Sequence, residues 1–153
     1  MLRGLLIIAI ALGAAAIATF WFACPCAVVP GGPLSGEEVA TPIADWSFAN
    51  TVPLCQVEVR AFVPYSVNVN CMSAGGALYV SCSKCDGKYW SSKAVTHPAG
   101  RIRVGETVHL VRFTRLEQHH DLDVAWRARA TKLDLGDDIP RPDHWWSFQL
   151  TSR

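Results

Sequence analysis

The sequence predicts a mainly β domain with minor α content, preceded by an N-terminal transmembrane helix. Three observations support this prediction: an uncharged apolar segment near the N-terminus, a series of short segments in which apolar and polar residues alternate, and one segment with helical spacing of its apolar residues. The chain has 153 residues and a net charge of +1. No basic run or basic helix indicates nucleic-acid binding, so we expect no nucleic-acid partner.

The segment 5–23 is apolar, contains no charged residue and follows Arg3. At about 1.5 Å rise per residue it is just long enough to cross a hydrocarbon core of about 30 Å. Because Arg3 favours a cytoplasmic N-terminus, we predict that residues 1–24 form an uncleaved single-pass anchor with the domain outside the cytoplasm. A cleaved signal peptide, which would give an exported protein, a lipid on Cys24 and a buried helix are the alternatives.

A segment rich in Pro and Gly follows the anchor and is predicted to be a linker over residues 25–42 that does not pack. The remainder, residues 43–153, is long enough for one domain and not for two. The composition indicates a small molecule, a second copy of the chain or another membrane protein as the partner.

Alternation of apolar and polar residues predicts the strands in order along this domain. The predicted strands are 45–48, 56–61, 66–71, 77–82, 101–104, 107–114 and 145–151. Tight turns are expected at Gly75-Gly76 and at Gly105-Glu106. One helix is predicted over 117–133, where apolar residues such as Leu122 and Trp126 form a stripe. We interpret Trp126 as a packing anchor of this helix rather than a ligand contact.

The end of the strand 77–82 carries the strongest functional signal. Ser81, Ser83, Lys84 and Lys88 follow one another closely and offer hydroxyl and ammonium donors. Such donors are suited to an anion such as a phosphate. An ordinary polar end of a hairpin is the alternative interpretation.

The cysteines follow the same alternation. Cys55, Cys71 and Cys82 share the phase of the apolar positions and are predicted to face the core. Cys55 is interpreted as a small buried hydrophobe, and Cys71 and Cys82 as neighbours across a hairpin. Cys82 and Cys85 form a C-x-x-C, for which a disulfide or two free thiols are favoured over a thioredoxin-like pair or a zinc site, because a turn follows and no matching second ligand pair is found.

The succession of SVNVNC, GGALYVSC, SKCDGKYW, THP and RIRV resembles the split-barrel flavin-binding proteins. That superfamily includes the pyridoxamine 5′-phosphate oxidase-like enzymes and the deazaflavin-dependent nitroreductases. The resemblance covers residues 43–151 and implies a six-stranded antiparallel split β-barrel with one covering helix. It also implies FMN or a deazaflavin as the cofactor, and a homodimer.

In such proteins a strand ends in hydroxyl residues and a basic loop grips the flavin phosphate. Ser81 and Ser83 match the hydroxyl positions, and Lys84 or Lys88 matches the basic position. The residues expected to contact the cofactor are Asn68, Asn70, Tyr79, Ser81, Ser83, Lys84, Lys88 and Trp90.

The other four of these residues are assigned to the ring of the cofactor or to the groove around it. Asn68, Asn70 and Tyr79 share a polar face of the sheet and are placed to meet heteroatoms of the ring. Trp90 either stacks on the ring or fills the groove, and we favour packing.

Two functions follow from these observations. The first is a membrane-anchored oxidoreductase that uses FMN or a deazaflavin to transfer hydride or electrons to a small organic acceptor. The second is a non-enzymatic split-barrel module that binds a ligand or a partner at the membrane. The second is supported by the strand 66–69, which lacks the Arg or Lys that the oxidases often use as a phosphate ligand, and by the lack of a convincing general base.

Overall fold

The computed structural model describes residues 2–22, 29–60, 62–136 and 138–153, with side chains from residue 4 to residue 20 in the first range. Strands are the main regular structure of the chain after residue 54. The helices are α1 (Leu2–Phe22), α2 (Tyr89–Thr96) and α3 (His119–Lys132), and a 3-10 helix spans Ser47–Thr51. The strands are β1 (Glu37–Val39), β2 (Cys55–Arg60), β3 (Pro64–Ala74), β4 (Ala77–Ser83), β5 (Ala99–Val104), β6 (Thr107–Arg115) and β7 (Trp145–Ser152).

Six of these strands close into an antiparallel barrel. They lie side by side in the order β6-β5-β2-β3-β4-β7, and β7 pairs again with β6, with Val111 opposite Ser152 and Arg115 opposite Phe148. The Gly75-Gly76 turn that joins β3 to β4 has φ values of 57° and 80°, which glycine adopts without steric cost. The predicted mainly β fold with six antiparallel strands is confirmed.

The barrel interior is filled by the apolar residues that the alternation assigned to it. Val57, Leu78, Ile102 and Phe148 are each at most 1 % exposed. Burying an aliphatic or aromatic side chain completely contributes about 1.5–3 kcal/mol. The aromatic ring of Trp90 on α2 packs 5.5 Å from that of Phe148, so α2 belongs to the same core.

Helix α3 covers the outer face of the barrel. Leu122 and Ala125 pack over Met72 and Trp145 in a second apolar cluster. Trp126 contacts the ring of Trp145 at 5.2 Å, and its indole N–H donates to the carbonyl of Ile139 at 2.7 Å. These contacts confirm Trp126 as a packing anchor.

The expectation that the Pro- and Gly-rich linker does not pack was wrong for its second half. β1 lies parallel to β6, and Leu34 is buried. The reason is the carboxylate of Glu58, which is fully buried on β2 and accepts the backbone N–H of Leu34 at 2.7 Å. Arg101 pairs with Glu58 and with Glu38, so a buried charge is neutralised and the segment is attached to the barrel.

The predicted opening strand at 45–48 was also wrong. The chain there leads into the 3-10 helix Ser47–Thr51, and the backbone N–H of Ala49 donates to the carbonyl of Trp46 at 2.9 Å. Trp46 is buried and its ring lies 5.6 Å from that of Phe48. Trp46 and Phe48 thus pack against each other at a helical turn, rather than pointing to the same face of a strand.

The four domain cysteines form two disulfides, Cys55–Cys71 and Cys82–Cys85, with Cα atoms 5.7 and 5.5 Å apart. Cys55 is therefore a disulfide partner of Cys71, rather than a free cysteine that acts as a small hydrophobic residue. Cys71 lies opposite Val80, so Cys71 and Cys82, which the hairpin could have placed side by side, are not directly opposite each other. A disulfide, one of the two favoured states of the C-x-x-C, is confirmed.

At the N-terminus, α1 covers much of the predicted anchor. None of the helices in the described ranges combines the length and the apolar character that a membrane crossing needs, so the predicted transmembrane helix is not confirmed. The segment 23–28, which contains Cys24 and Cys26 and the candidate cleavage region, lies outside the described residues.

A substitution at Gly100 tests the close approach of β2, β5 and β6. A Cβ atom at this position would meet the backbone carbonyl of Glu58 and lie 2.6 Å from the ring of Phe113. We expect Gly100→Ala to lower the free energy of unfolding by about 1–3 kcal/mol, as overpacking does. Gly13→Ala, where nothing lies within 4 Å, is the control and should leave urea unfolding of the domain unchanged.

A buried histidine gives the domain a predicted pH dependence. His109 is 4 % exposed, its Nδ1 has no hydrogen-bond partner among the described residues, and burial lowers its pKa below 6.5. Because the unfolded chain binds the proton more readily, we expect stability to fall as the pH drops below about 6.5, with a slope of at most about 1.4 kcal/mol per pH unit from this group. Urea unfolding between pH 5 and 8 measures the slope. It should become shallower in His109→Phe and stay unchanged in His144→Gln, a variant of an exposed histidine.

Candidate functional site

Two adjoining cavities lie where β3 and β4 meet the start of α2. The first, which we call the strand-end cavity, has a volume of about 300 Å³ and is lined by Leu54, Asn68, Val69, Asn70, Ser81, Cys82, Ser83, Lys88 and Trp90. The second, which we call the tyrosine cavity, has a volume of about 330 Å³ and is lined by Val29, Tyr65, Val67, Asn68, Lys88, Tyr89 and Trp90. Because Asn68, Lys88 and Trp90 line both, the two cavities form one continuous candidate site.

The strand-end cavity contains six of the eight residues expected to contact a cofactor. Register explains this result: Asn70 lies opposite Ser81 across β3 and β4, and side chains two apart on a strand point to the same face. Asn68 and Ser83 are therefore next to that pair on the same outer face. Lys88 precedes α2 directly and reaches the cavity from the loop.

Tyr79 and Lys84 lie outside this cavity. Tyr79 shares the outer face, as predicted, but it is 8 % exposed and packs in the cluster beneath α3. Burial, and secondly the charge of Asp121, raise the pKa of Tyr79. Lys84 is exposed, has a φ of 53° in the turn and does not line either cavity. The expected cluster of two serines and two lysines is therefore only partly formed.

The hydroxyl of Ser81 is the most informative polar group in the site. The residue is 1 % exposed, and its Oγ has no hydrogen-bond partner in the described part of the chain. A buried hydroxyl without a partner costs about 1–3 kcal/mol. A ligand that accepts or donates a hydrogen bond in the strand-end cavity would recover this cost.

The charge of the site is positive. Lys88 lines both cavities, and none of their described lining residues is Asp or Glu. The start of a helix carries a partial positive charge, and α2 begins at Tyr89, directly after Lys88. The arrangement therefore favours an anionic group on the ligand.

A disulfide and a serine hold the loop that carries Lys88. The bond between Cys82 and Cys85 closes the turn after β4. Ser91 donates from its Oγ to the carbonyl of Cys85 at 2.6 Å and lies within 3.0 Å of the carbonyl of Lys88. These contacts hold the loop in place, and Lys88 lines the cavity from this loop.

The tyrosine cavity has an aromatic wall that the sequence did not predict. The rings of Tyr65 and Tyr89 meet edge to face at 4.8 Å, and the ammonium of Lys93 lies 5.4 Å from the ring of Tyr89. Burial, and secondly Tyr89, raise the pKa of Tyr65. Tyr65 lies just before the predicted strand 66–71, and Tyr89 lies outside the predicted strands, so neither alternation nor spacing indicated the pair.

The described residues include no group of three His, Cys, Asp or Glu side chains placed to hold a metal ion. The sulfur atoms of Cys82 and Cys85 are bonded to each other, which agrees with the disulfide favoured for this pair over a zinc site.

Comparison with known proteins bears on the fold. The sequence matches no protein-family model and no curated protein. The structure resembles a pyridoxamine 5′-phosphate oxidase candidate from Listeria innocua, with a TM-score of 0.55 and 10% identity over 69% of this chain and 88% of that one. The six-stranded barrel has the same split-barrel fold as this structure.

Two further solved structures agree with this split-barrel assignment. A NimC/NimA family protein from Clostridium acetobutylicum has a TM-score of 0.51 and 10% identity over 68% of this chain and 76% of its own. The conserved hypothetical protein Rv2991 from Mycobacterium tuberculosis has a TM-score of 0.52 and 9% identity over 76% and 86%. Identities this low bear on the fold alone.

Proposed function

We propose that this split-barrel protein binds FMN or a deazaflavin and transfers hydride or electrons to a small organic acceptor. The observation that carries the proposal is the buried, unpartnered hydroxyl of Ser81 beside Lys88, in a cavity without a described carboxylate. The fold supports it, because two of the similar structures are named as an oxidase candidate and as a NimC/NimA family protein.

The residues present fit a ligand with a phosphate at one end. Lys88, Ser81 and Ser83 would hold the phosphate in the strand-end cavity through charge-assisted and hydroxyl hydrogen bonds. Asn68 and Asn70 would hydrogen-bond polar atoms of the ligand next to it. The tyrosine cavity adds about 330 Å³ with aromatic walls, where the planar part of such a ligand is suited to pack.

In this proposal the cofactor supplies the hydride or electron transfer, and the chain supplies binding and position. Trp90 is 5 % exposed and packs on Phe148, so it fills the floor of the site rather than presenting a free face to a ring. Tyr65 and Tyr89 form one side of the site. No protein side chain has to act as a general base.

A non-enzymatic ligand-binding module is the second candidate function. It is supported by the charge count of the site, because Lys88 is the only Lys or Arg among the described lining residues of the two cavities. A dianionic phosphate is usually bound by more than one cationic group or by several backbone N–H groups. A ligand with a single negative charge would need only Lys88.

We also propose that α1 anchors the protein in a membrane, with the domain outside the cytoplasm, and that the protein forms a homodimer. The exposed leucines and isoleucines of α1, such as Leu5 at 66% and Ile7 at 67%, support a lipid or protein environment for this helix. Two disulfides in the domain support an oxidising compartment.

Substitution of Ser81 is expected to have opposite effects on ligand-free stability and on binding. Ser81→Ala removes a buried unpartnered hydroxyl, so the unliganded domain should unfold at equal or higher urea concentration. FMN affinity should fall about fivefold, measured by quenching of flavin fluorescence. Loss of stability with unchanged FMN affinity would assign Ser81 a purely structural role.

The two lysines of the loop should differ in their effect on FMN binding. Lys88→Ala should weaken binding about 10- to 100-fold, because a charge-assisted hydrogen bond contributes about 1.5–3 kcal/mol. Lys84→Ala is the matched control, since Lys84 is exposed and does not line the cavities, and it should change the affinity less than about twofold. Equal effects of the two variants would contradict the assignment of Lys88.

The choice between the two candidate functions follows from a titration of the full chain with FMN and with a deazaflavin. Saturable binding, followed by reoxidation of the reduced complex by a nitroaromatic or quinone acceptor, is expected for the oxidoreductase. A folded protein that binds neither cofactor would support the non-enzymatic module.

Membrane attachment is tested by fractionation of cells that express the full chain or a form lacking residues 1–24. The full chain should stay with membranes after carbonate extraction and its domain should be accessible to external protease in spheroplasts. The shortened form should be released. Release of both forms would contradict the anchor.

The proposed homodimer is tested separately, by measuring the size of the detergent-solubilised protein.

A further inference from the structure

A third cavity lies on the opposite part of β3, away from the candidate site. It has a volume of about 530 Å³, within the range of small-molecule sites, and we call it the α3 cavity. Its walls come from the second half of α3, the end of β3 and Asn50 of the 3-10 helix. It shares no lining residue with the strand-end or tyrosine cavities.

Both charged residues that line the α3 cavity are cationic, and the carboxylate of Asp123, which interacts with Arg127 from one turn earlier in α3, lies outside the lining. Arg127 and Lys132 line it, and none of its described lining residues is Asp or Glu. The ammonium of Lys132 donates to the carbonyls of Ala49 at 2.8 Å and Cys71 at 2.5 Å, and no described carboxylate forms an ion pair with it. Burial lowers the pKa of Lys132, which a neighbouring anion would raise again.

A buried hydroxyl is also left without a partner at this cavity. Ser73 is 8 % exposed, lines the α3 cavity, and its Oγ has no hydrogen-bond partner in the described part of the chain. The amide of Asn50 does not satisfy it, because both of its polar atoms bond to the backbone of Ser73: Nδ2 donates to the carbonyl at 3.0 Å and Oδ1 accepts the N–H at 2.8 Å.

The remaining wall is apolar. Ala74, Val124 and Ala128 line it and are each half-buried. An inorganic ion would leave this apolar surface in contact with water, whereas an organic ligand would cover it.

We propose that the α3 cavity is a second binding site, for a small organic anion with an apolar body such as an aromatic carboxylate. The anionic group faces Arg127 and Lys132, and the apolar body lies against Val124 and Ala128. The site does not depend on the function proposed for the strand-end cavity, because no residue is shared.

The experiment is calorimetric titration of the full chain, in a non-ionic detergent, with benzoate and with benzamide. The two probes have the same shape and differ in charge. Benzoate should bind saturably and benzamide at least about tenfold more weakly, since charge-assisted bonds are about twice as strong as neutral ones. Phenyl phosphate replaces benzoate in a parallel titration and reports which anionic group the site prefers.

Arg127→Gln is the test variant and Arg112→Gln its matched control, since both arginines are exposed and only Arg127 lines the cavity. Arg127→Gln should weaken benzoate binding about fivefold or more, leave benzamide binding unchanged and leave FMN titration unchanged. Val124→Trp, which fills the cavity, should abolish binding of both probes. Because Val124→Trp is able to disturb packing, its urea unfolding is measured in parallel.

Three results would overturn the proposal. They are the absence of saturable benzoate binding by the folded chain, equal affinity for benzoate and benzamide, and equal effects of the Arg127 and Arg112 variants. Tighter binding of phenyl phosphate than of benzoate would support the site and identify the phosphate as its preferred anion.

Discussion

The pairing of β7 with β6 is the constraint on which the rest of the structure depends. Without it the sheet would have two open edges, and the side chains on its inner face would be exposed to water. Once the sheet is closed, one face of every strand is sealed inside, and a register shift of one residue would exchange the buried and exposed faces. The placement of Phe148 inside and of Ser81 outside follows from the same closure.

The outer face then differs from one part of the barrel to the next according to what covers it. Helix α3 covers Met72 and Tyr79, and the segment around Leu34 covers Glu58. Between these two covered regions the outer residues Asn70 and Ser81 lie beside the start of α2. The candidate site is thus the part of the outer face that neither cover reaches.

Most of the barrel could be predicted from the sequence because alternation is a local signal. Each of the six barrel strands carries its own pattern, and the inward phase of Cys55 and Cys71 was correct. Their disulfide could not be predicted, because the register between β2 and β3 is a property of the pair and not of either strand. β1 was missed for a related reason. Three residues with two glutamates carry no strand signal, and their pairing with β6, like the bridge from Arg101 to Glu38 and Glu58, is a long-range contact.

For the candidate site, the residues on strands were easier to predict than those on loops. Asn68, Asn70, Ser81 and Ser83 reach one cavity because strand geometry repeats every two residues. The sequence could not show which of Lys84 and Lys88 lines the cavity. Their positions depend on a turn with a positive φ at Lys84 and on the loop that Ser91 holds. Tyr65 and Tyr89 meet only through the tertiary fold.

The position of Val29 in the lining of the tyrosine cavity limits how far this cavity can lie from α1. Val29 follows Phe22, the last residue of α1, by only seven positions, a span of at most about 25 Å for a fully extended chain. If α1 lies in a bilayer, this short connection keeps the tyrosine cavity within about 25 Å of the membrane surface. Lipophilic compounds dissolved in the bilayer would then reach it by lateral diffusion, at local concentrations far above those in the surrounding water.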